Sequence, residues 1–384
     1  MIIELVGGQF VNQGAALMVR AVRDRVQRAI PSAKFAMAPG PWAPASECRL
    51  AGILRKFPLR KRRVDLNRWS YGWPRSVCQF LVDRDLVLEG NVDAVLDLSG
   101  YAYGDRWGAL SLEAPSARLE RARRYSRPYV FLPQAFGPFD GLPPRIVRRF
   151  GESLAQSSFV AARDAESMAA LQAVCPSGAR ILRIPDLTIG YPGELSAGAE
   201  VGVNRDTALI IPNIRMFDSG SAGLGWREGY VPLLQQLGTE LRRRGFVPRV
   251  LNHSGREDRA LAESLGVPNL IEESDPMRTK GIIGAAGMVI SSRYHGCVSA
   301  LSQGVPCLAT SWSHKYQELF EDFGQRDSVV TVPDLAVAIG QLDHLVAQRR
   351  DVSEQIRQSA NAQAVLVEAM WDEVITILQC AGAR

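Results

Sequence analysis

The chain has 384 residues, more than one ordinary core accommodates, which points to two domains. Its hydrophobic content of 46% and charged content of 22% exclude wholesale disorder. The net charge of +5 is too mild to indicate a nucleic-acid partner, and no zinc-finger, RNA-recognition or coiled-coil pattern accompanies it.

The first residues, Met1-Ile2-Ile3-Glu4-Leu5-Val6-Gly7-Gly8, read as a core strand. They lack the basic start and long apolar stretch of a signal peptide, and no apolar run in the chain is long enough to span a bilayer. The six cysteines are scattered, with no Cys-x-x-Cys pair and no zinc spacing. Reduced cysteines, no metal and a cytoplasmic location are therefore expected. Further strands are predicted over 94–98, 129–132, 159–162, 181–184, 208–211, 248–252, 288–291 and 306–310. Helices are predicted over 15–29, 115–125, 164–173, 229–244, 256–265 and 335–348. This alternation argues for parallel sheets with helical crossovers, hence an α/β protein. The small, polar stretch 192–200 reads as a linker. It divides an N-terminal Rossmann-like domain, 1–191, from a C-terminal one, 201–350. A last helix in 351–384 is expected to pack across a domain face or back over the hinge. Two such halves would face a cleft, a favoured place for ligands.

Positive charge concentrates in residues 54–63, Leu-Arg-Lys-Phe-Pro-Leu-Arg-Lys-Arg-Arg. The simpler reading is a solvated loop or helix face. The functional alternative is contact of residues 55–63 with anionic headgroups at the inner face of the membrane.

The turns carrying chemistry are taken in chain order. Gly7 to Leu17 contains Asn12 and Gly14 and suits either an anion at a helix start or a plain strand-to-helix turn. It does not match the dinucleotide fingerprint. The loop after the 94–98 strand, Ser99-Gly100-Tyr101-Ala102-Tyr103, combines glycine, aromatic and polar residues suited to a sugar face. Gln134 follows the next strand and could hydrogen-bond a ligand. Arg215 lies just past the first strand of the second half, before a glycine-containing loop, 220–225, that could close over a ligand. The most informative stretch is Ser291-Ser292-Arg293-Tyr294-His295-Gly296-Cys297, followed by Gly304-Val305-Pro306 and His314-Lys315. Arg293 offers a fixed fork for carboxylate or phosphate, and His295 can move a proton near neutral pH. Cys297 and Cys307 read as buried small residues. Serine-hydrolase and kinase signatures are absent.

In this order the pieces resemble the polysaccharide pyruvyl transferase family. The matches are Asn12-Gln13-Gly14-Ala15-Ala16-Leu17, the loop after Asp97, Pro133-Gln134-Ala135-Phe136-Gly137-Pro138 and Ala162-Arg163-Asp164-Ala165-Glu166-Ser167. They continue through Pro185-Asp186, Arg215, Ser292-Arg293-Tyr294-His295-Gly296, Gly304-Val305-Pro306 and His314-Lys315. The resemblance runs from the first strand to about residue 325. It implies two domains similar to the GT-B glycosyltransferases. It also implies transfer of a pyruvyl group from phosphoenolpyruvate to hydroxyls of a sugar, oligosaccharide or lipid-linked glycan as a ketal, with phosphate released. No cofactor beyond that donor is implied. Arg215, Arg293 and His295 would be catalytic. Asn12, Gly14, Ser99, Gly100, Tyr101, Gln134, His314 and Lys315 would bind substrate. The chain departs from the family pattern where an acidic residue is usual near Asn12, where Ser99-Gly100-Tyr101 replaces three glycines, and where Ala135 replaces a glycine. These departures fall in the half expected to bind the acceptor. The alternatives are a GT-B nucleotide-sugar glycosyltransferase and a non-catalytic member of the family.

Overall fold

The computed structural model describes residues 1–61, 64–194, 196–218, 225–311 and 313–382, without the side chains of Lys61, Arg75 and His314. It divides into two compact units. One comprises Met1–Phe10, Met18–Leu187 and Leu366–Arg384, and the other Val11–Leu17 and Thr188–Val365.

The first unit is built on a nine-stranded sheet. Its strands are β1 (Ile2–Val6), β2 (Lys34–Met37), β3 (Leu54–Lys56), β4 (Leu86–Val87), β5 (Ala94–Asp97), β6 (Tyr101–Tyr103), β7 (Tyr129–Phe136), β8 (Phe159–Ala162) and β9 (Leu182–Arg183). The order is β9-β8-β7-β5-β1-β2-β3-β4, with β6 beside β7, and every pairing is parallel. Strands covered on both faces by helices read as near-continuous apolar runs. β7 shows this: all eight of its residues are buried. It therefore runs four residues beyond the predicted end, carrying Gln134 inside the sheet. The chain winds outward from β1 through β2 and β3, then returns to place β5 on the other side of β1.

β3 corrects the reading of the basic stretch at one position. Lys56 is not a solvated or headgroup-facing cation; it is buried, with Nζ 2.7 Å from Glu4 and 3.6 Å from Glu89. Arg118 reaches Glu4 at 3.1 Å, and Arg121 joins Glu89 to Asp65. Buried charge must be paired to be tolerated, and this network is what permits Lys56 in the core. Arg62 and Arg63 of the same stretch lie outside the described residues.

The second unit holds a six-stranded parallel sheet: β10 (Thr207–Ile211), β11 (Val247–Asn252), β12 (Ile271–Glu272), β13 (Met288–Ser291), β14 (Cys307–Thr310) and β15 (Val329–Val330). Its order is β12-β11-β10-β13-β14-β15. The helices used below are α1 (Gln13–Ala29), α2 (Trp226–Arg243), α3 (Gly255–Ser264), α4 (Pro276–Ala285), α5 (Tyr294–Leu301), α6 (His314–Asp322), α7 (Leu335–Ala347) and α8 (Arg349–Gly382). Here too the chain moves outward from β10 to β12 and then crosses back to β13. The loops after β10 and β13 thus leave neighbouring strand ends in opposite directions, which opens a crevice at the carboxyl edge.

The stretch expected to be a linker is packed structure. Residues 196–200 form a helical turn, and a Cβ on Gly198 would lie 2.2 Å from Cβ of Ala285. A Cβ on Gly193 would lie 2.5 Å from the backbone of Gly281. The small residues there serve close backbone approach to α4, not chain freedom. Leu195 lies outside the described residues. Among the described residues no helix is long and apolar enough to cross a membrane.

Candidate functional site

At the carboxyl edge of the second sheet, β13 ends at Ser291, in register with Ile211 at the end of β10. Ser291 Oγ accepts the Arg293 N–H at 3.1 Å, turning the chain sharply into α5. Arg293 becomes the residue before the helix, and His295 falls in its first turn. Ser292 anchors this turn from below. Its hydroxyl bonds those of Tyr230 and Thr310, and its carbonyl accepts from Tyr316 at 2.7 Å and Asn213 at 2.9 Å. Tyr230 and Tyr316 are buried, and burial raises both phenols above their usual range, so they serve here as neutral hydroxyls. Such a fully satisfied polar network rigidifies the turn it supports.

The Arg293 guanidinium is held by Asp258 of α3, through Nε at 2.6 Å and through Nη2. Asp258 is buried, and its other oxygen accepts the Ile214 N–H at 3.0 Å. One carboxylate therefore fixes both Arg293 and the loop that carries Arg215. Arg215 itself is exposed on a 3-10 turn (Ile214–Phe217), with its nearest carboxylate, Asp218, at 3.8 Å. Arg293 is thus partly buried and oriented, while Arg215 is solvated on a loop fixed by the same carboxylate.

His253 follows β11 on the same edge and was not among the predicted site residues. It is buried, and burial, aided by the charge of Arg293 and by His295, holds its imidazole down to about 3. It is thus neutral at physiological pH, and its Nδ1 meets no hydrogen-bond partner among the described residues. Its backbone carbonyl accepts the Gln13 N–H at 3.2 Å, while Asn12 bridges to Ser254.

This is how the start of α1 enters the second unit. Asn12 caps the helix, its Oδ1 accepting the Gly14 N–H at 2.9 Å. Gly14 is buried against the His295 ring: a Cβ there would lie 2.2 Å from His295 Cγ. Both residues were expected to bind substrate. Asn12 Oδ1 serves the cap, and Gly14 lets the helix approach the imidazole. Tyr294 packs edge-on to His295 at 5.6 Å, and Lys315 Nζ lies 5.8 Å from the Tyr294 ring and 5.7 Å from that of Tyr316. Lys315 is therefore brought to the Arg293 turn through an aromatic layer. The side chain of His314 and residues 220–224 of the expected closing loop lie outside the described residues.

In the first unit, the predicted residues gather around Asp97 at the end of β5. Ser99 Oγ donates to Asp97 at 2.7 Å, Tyr103 at 2.5 Å and Tyr129 at 2.8 Å. Burial pushes the Asp97 carboxyl above its usual range, against the pull of these bonds. Gln134 is wholly buried within β7, with Nε2 3.4 Å from Asp97. Gly7 adopts φ +75° with Ser99 against it, where a Cβ would come within 2.3 Å of the Ser99 backbone. Tyr101 is half-buried and packs edge-on to Trp107, which is exposed. Ser99, Gly100 and Tyr101 thus sit at this sheet's own crossing point, between the ends of β1 and β5.

Asp258 and His253 escaped the sequence reading for different reasons. Asp258 looks like any acidic residue in the first turn of a helix. His253 did carry a signal: it stands directly after a predicted strand, on the edge already assigned to Arg215.

Two Rossmann-like α/β units with parallel sheets, one carrying an Arg-His turn at its crossing point, define a GT-B-like architecture. The family model for polysaccharide pyruvyl transferase matches residues 12–314, and the chain belongs to that family. No curated protein matches it significantly. Among solved structures, UDP-GlcNAc 2-epimerase from Neisseria meningitidis shares 14% identity, with 98% of this chain and 100% of that one covered and a TM-score of 0.58. Anabaena HepE in complex with UDP shares 13%, with 99% of each chain covered and a TM-score of 0.55. The lipopolysaccharide glycosyltransferase WaaG shares 16%, covering 97% and 99%, with a TM-score of 0.51. At these identities the likeness shows the fold.

Proposed function

We propose that the chain transfers a pyruvyl group from phosphoenolpyruvate to two hydroxyls of a sugar or glycan, releasing phosphate. The observation carrying this reading is the Arg293–Asp258 clamp beside His295 at the crossing point of the second sheet, in a chain of this family. Phosphoenolpyruvate presents a carboxylate and a phosphate. Arg293, oriented by Asp258, takes one head, and Arg215, on its solvated turn, takes the other. A proton adds to the methylene carbon, and electron density drawn from the double bond leaves C2 electrophilic. One sugar hydroxyl bonds to C2 and loses its proton. The C2–O bond to phosphate then breaks, with His295 as general acid or as partner of the departing phosphate. A second hydroxyl closes the ketal and gives up its proton. Lys315 adds positive potential near the Arg293 turn.

The exposed Trp107 with Tyr101 in the first unit supplies the aromatic face on which a sugar acceptor would stack. The test is phosphate release from phosphoenolpyruvate across galactosides, glucosides and N-acetylmannosamine glycosides, with product mass checked for the ketal. Release with the matching mass gain is expected. No release with any sugar, together with thermal stabilisation by a nucleoside diphosphate and not by phosphoenolpyruvate, would overturn the reading in favour of nucleotide-sugar chemistry.

A further inference from the structure

The amino-terminal edge of the second sheet, opposite the Arg293 turn, holds a second concentration of charge. Arg205 precedes β10, Gly287 precedes β13 and Pro306 precedes β14. With Arg349, Arg350 and Arg357 from the start of α8 they line a cavity of about 470 Å³. A neighbouring recess of about 210 Å³ is lined by Arg244, Phe246 and again Arg349. Asp351 and Glu354 also face the larger cavity.

Of the four arginines around the larger cavity, Arg357 is paired with Glu354 and the other three are not neutralised among the described residues. Arg205 Nη1 donates to the Ala286 carbonyl at 2.7 Å. Arg349 donates to the Arg205 carbonyl at 3.2 Å and lies over the Phe246 ring at 5.6 Å. These contacts fix direction without cancelling charge. Glu354 is engaged with Arg357 at 3.1 Å. Among the described residues, Arg205, Arg349 and Arg350 have no carboxylate within ion-pair distance. Burial first, and then the neighbouring charges of Arg349 and Arg357, hold Arg205 below its usual range. The start of α8, a helix of 34 residues, adds the positive end of its dipole to the same cavity. A surface cluster of long cations ordinarily splays into solvent to relieve repulsion. Here backbone carbonyls and an aromatic ring hold two of the four around one concavity.

We propose that this cavity is a binding site for a phosphate or diphosphate group, distinct from the Arg293 site. Guanidinium forks match phosphate oxygens in geometry and charge, and the three without an ion pair, Arg205, Arg349 and Arg350, suit a group carrying more than one negative charge. The proposal does not depend on the pyruvyl transfer reading. The phosphate could be free in solution or borne on a lipid headgroup, and two arms of one experiment separate these sources. Inorganic pyrophosphate is titrated calorimetrically at low salt, and amide exchange over residues 349–353 is followed in parallel. Cosedimentation with phosphatidate-containing vesicles forms the second arm. Arg350→Glu and Arg350→Glu/Arg357→Glu are compared with the natural chain. Both positions are exposed, and thermal melts confirm folding. Pyrophosphate binding that protects 349–353 and weakens at least about tenfold in the double variant supports a free phosphate ligand. Cosedimentation lost in the double variant, with weak pyrophosphate binding, supports a headgroup. Binding in neither arm, or binding that the substitutions leave unchanged, overturns the proposal.

Discussion

Acidification offers the sharpest physical test of the second unit, through His253. Its folded-state imidazole titrates at about 3, against about 6.5 for an unperturbed histidine. The unfolded chain therefore binds the proton more readily than the folded one, and stability falls as pH falls through this window. The contribution is fully present above about pH 6.5 and declines toward pH 3. Complete protonation of the folded state would cost about 4–5 kcal/mol at 1.36 kcal/mol per pH unit. Between pH 8 and pH 5 the expected loss is about 2 kcal/mol. The cause is specific: a buried ring that must take up charge beside Arg293 and near His295. The assay is hydrogen exchange of the β10 amides, corrected for the intrinsic pH dependence of exchange, in the natural chain and in His253→Asn. The natural chain should lose about 2 kcal/mol more than the variant over that interval. Equal losses would refute the argument that His253 is held neutral by burial.

Two further outcomes follow from the site's geometry. Asp258→Asn keeps an acceptor for Ile214 but removes the charge that orients Arg293. Hydrogen bonds to charged groups are worth about 1.5–3 kcal/mol, so kcat/KM for phosphoenolpyruvate should fall roughly 10- to 100-fold. Unchanged steady-state kinetics would remove Asp258 from the site. Gly14→Ala places a methyl where His295 Cγ already stands, 2.2 Å away. Overpacking of this kind costs about 1–3 kcal/mol and should move the imidazole. A thermal melt and the His295 ring resonances report the two effects, and an unshifted resonance would contradict the packing.

The sequence alone determined what depends on local periodicity and order. The alternation of apolar strand runs and helical patterns specified two parallel α/β halves. The Ser-Arg-x-His-Gly turn after an apolar strand marked the end of that strand and the start of the helix that follows. Ends of elements were less legible. β7 continues through Pro133 and Gln134 because both faces of that strand are covered, a property of its neighbours and not of its residues. Lys56 reads as a solvated cation until Glu4 and Glu89 arrive from distant segments to pair with it, with Arg118 sharing Glu4. Glycines at 193 and 198 resemble a flexible joint until the close approach of α4 is visible.

Tertiary structure alone decided which groups share the site. Asp258 lies 35 residues from Arg293 along the chain yet holds its guanidinium. Gly14 reaches His295 across most of the sequence. Pairing over such separations leaves no periodic trace, because it is set by strand order. The chain crosses from β12 back to β13 beside β10, and that crossing places the loops of Arg215, His253 and Arg293 on one edge.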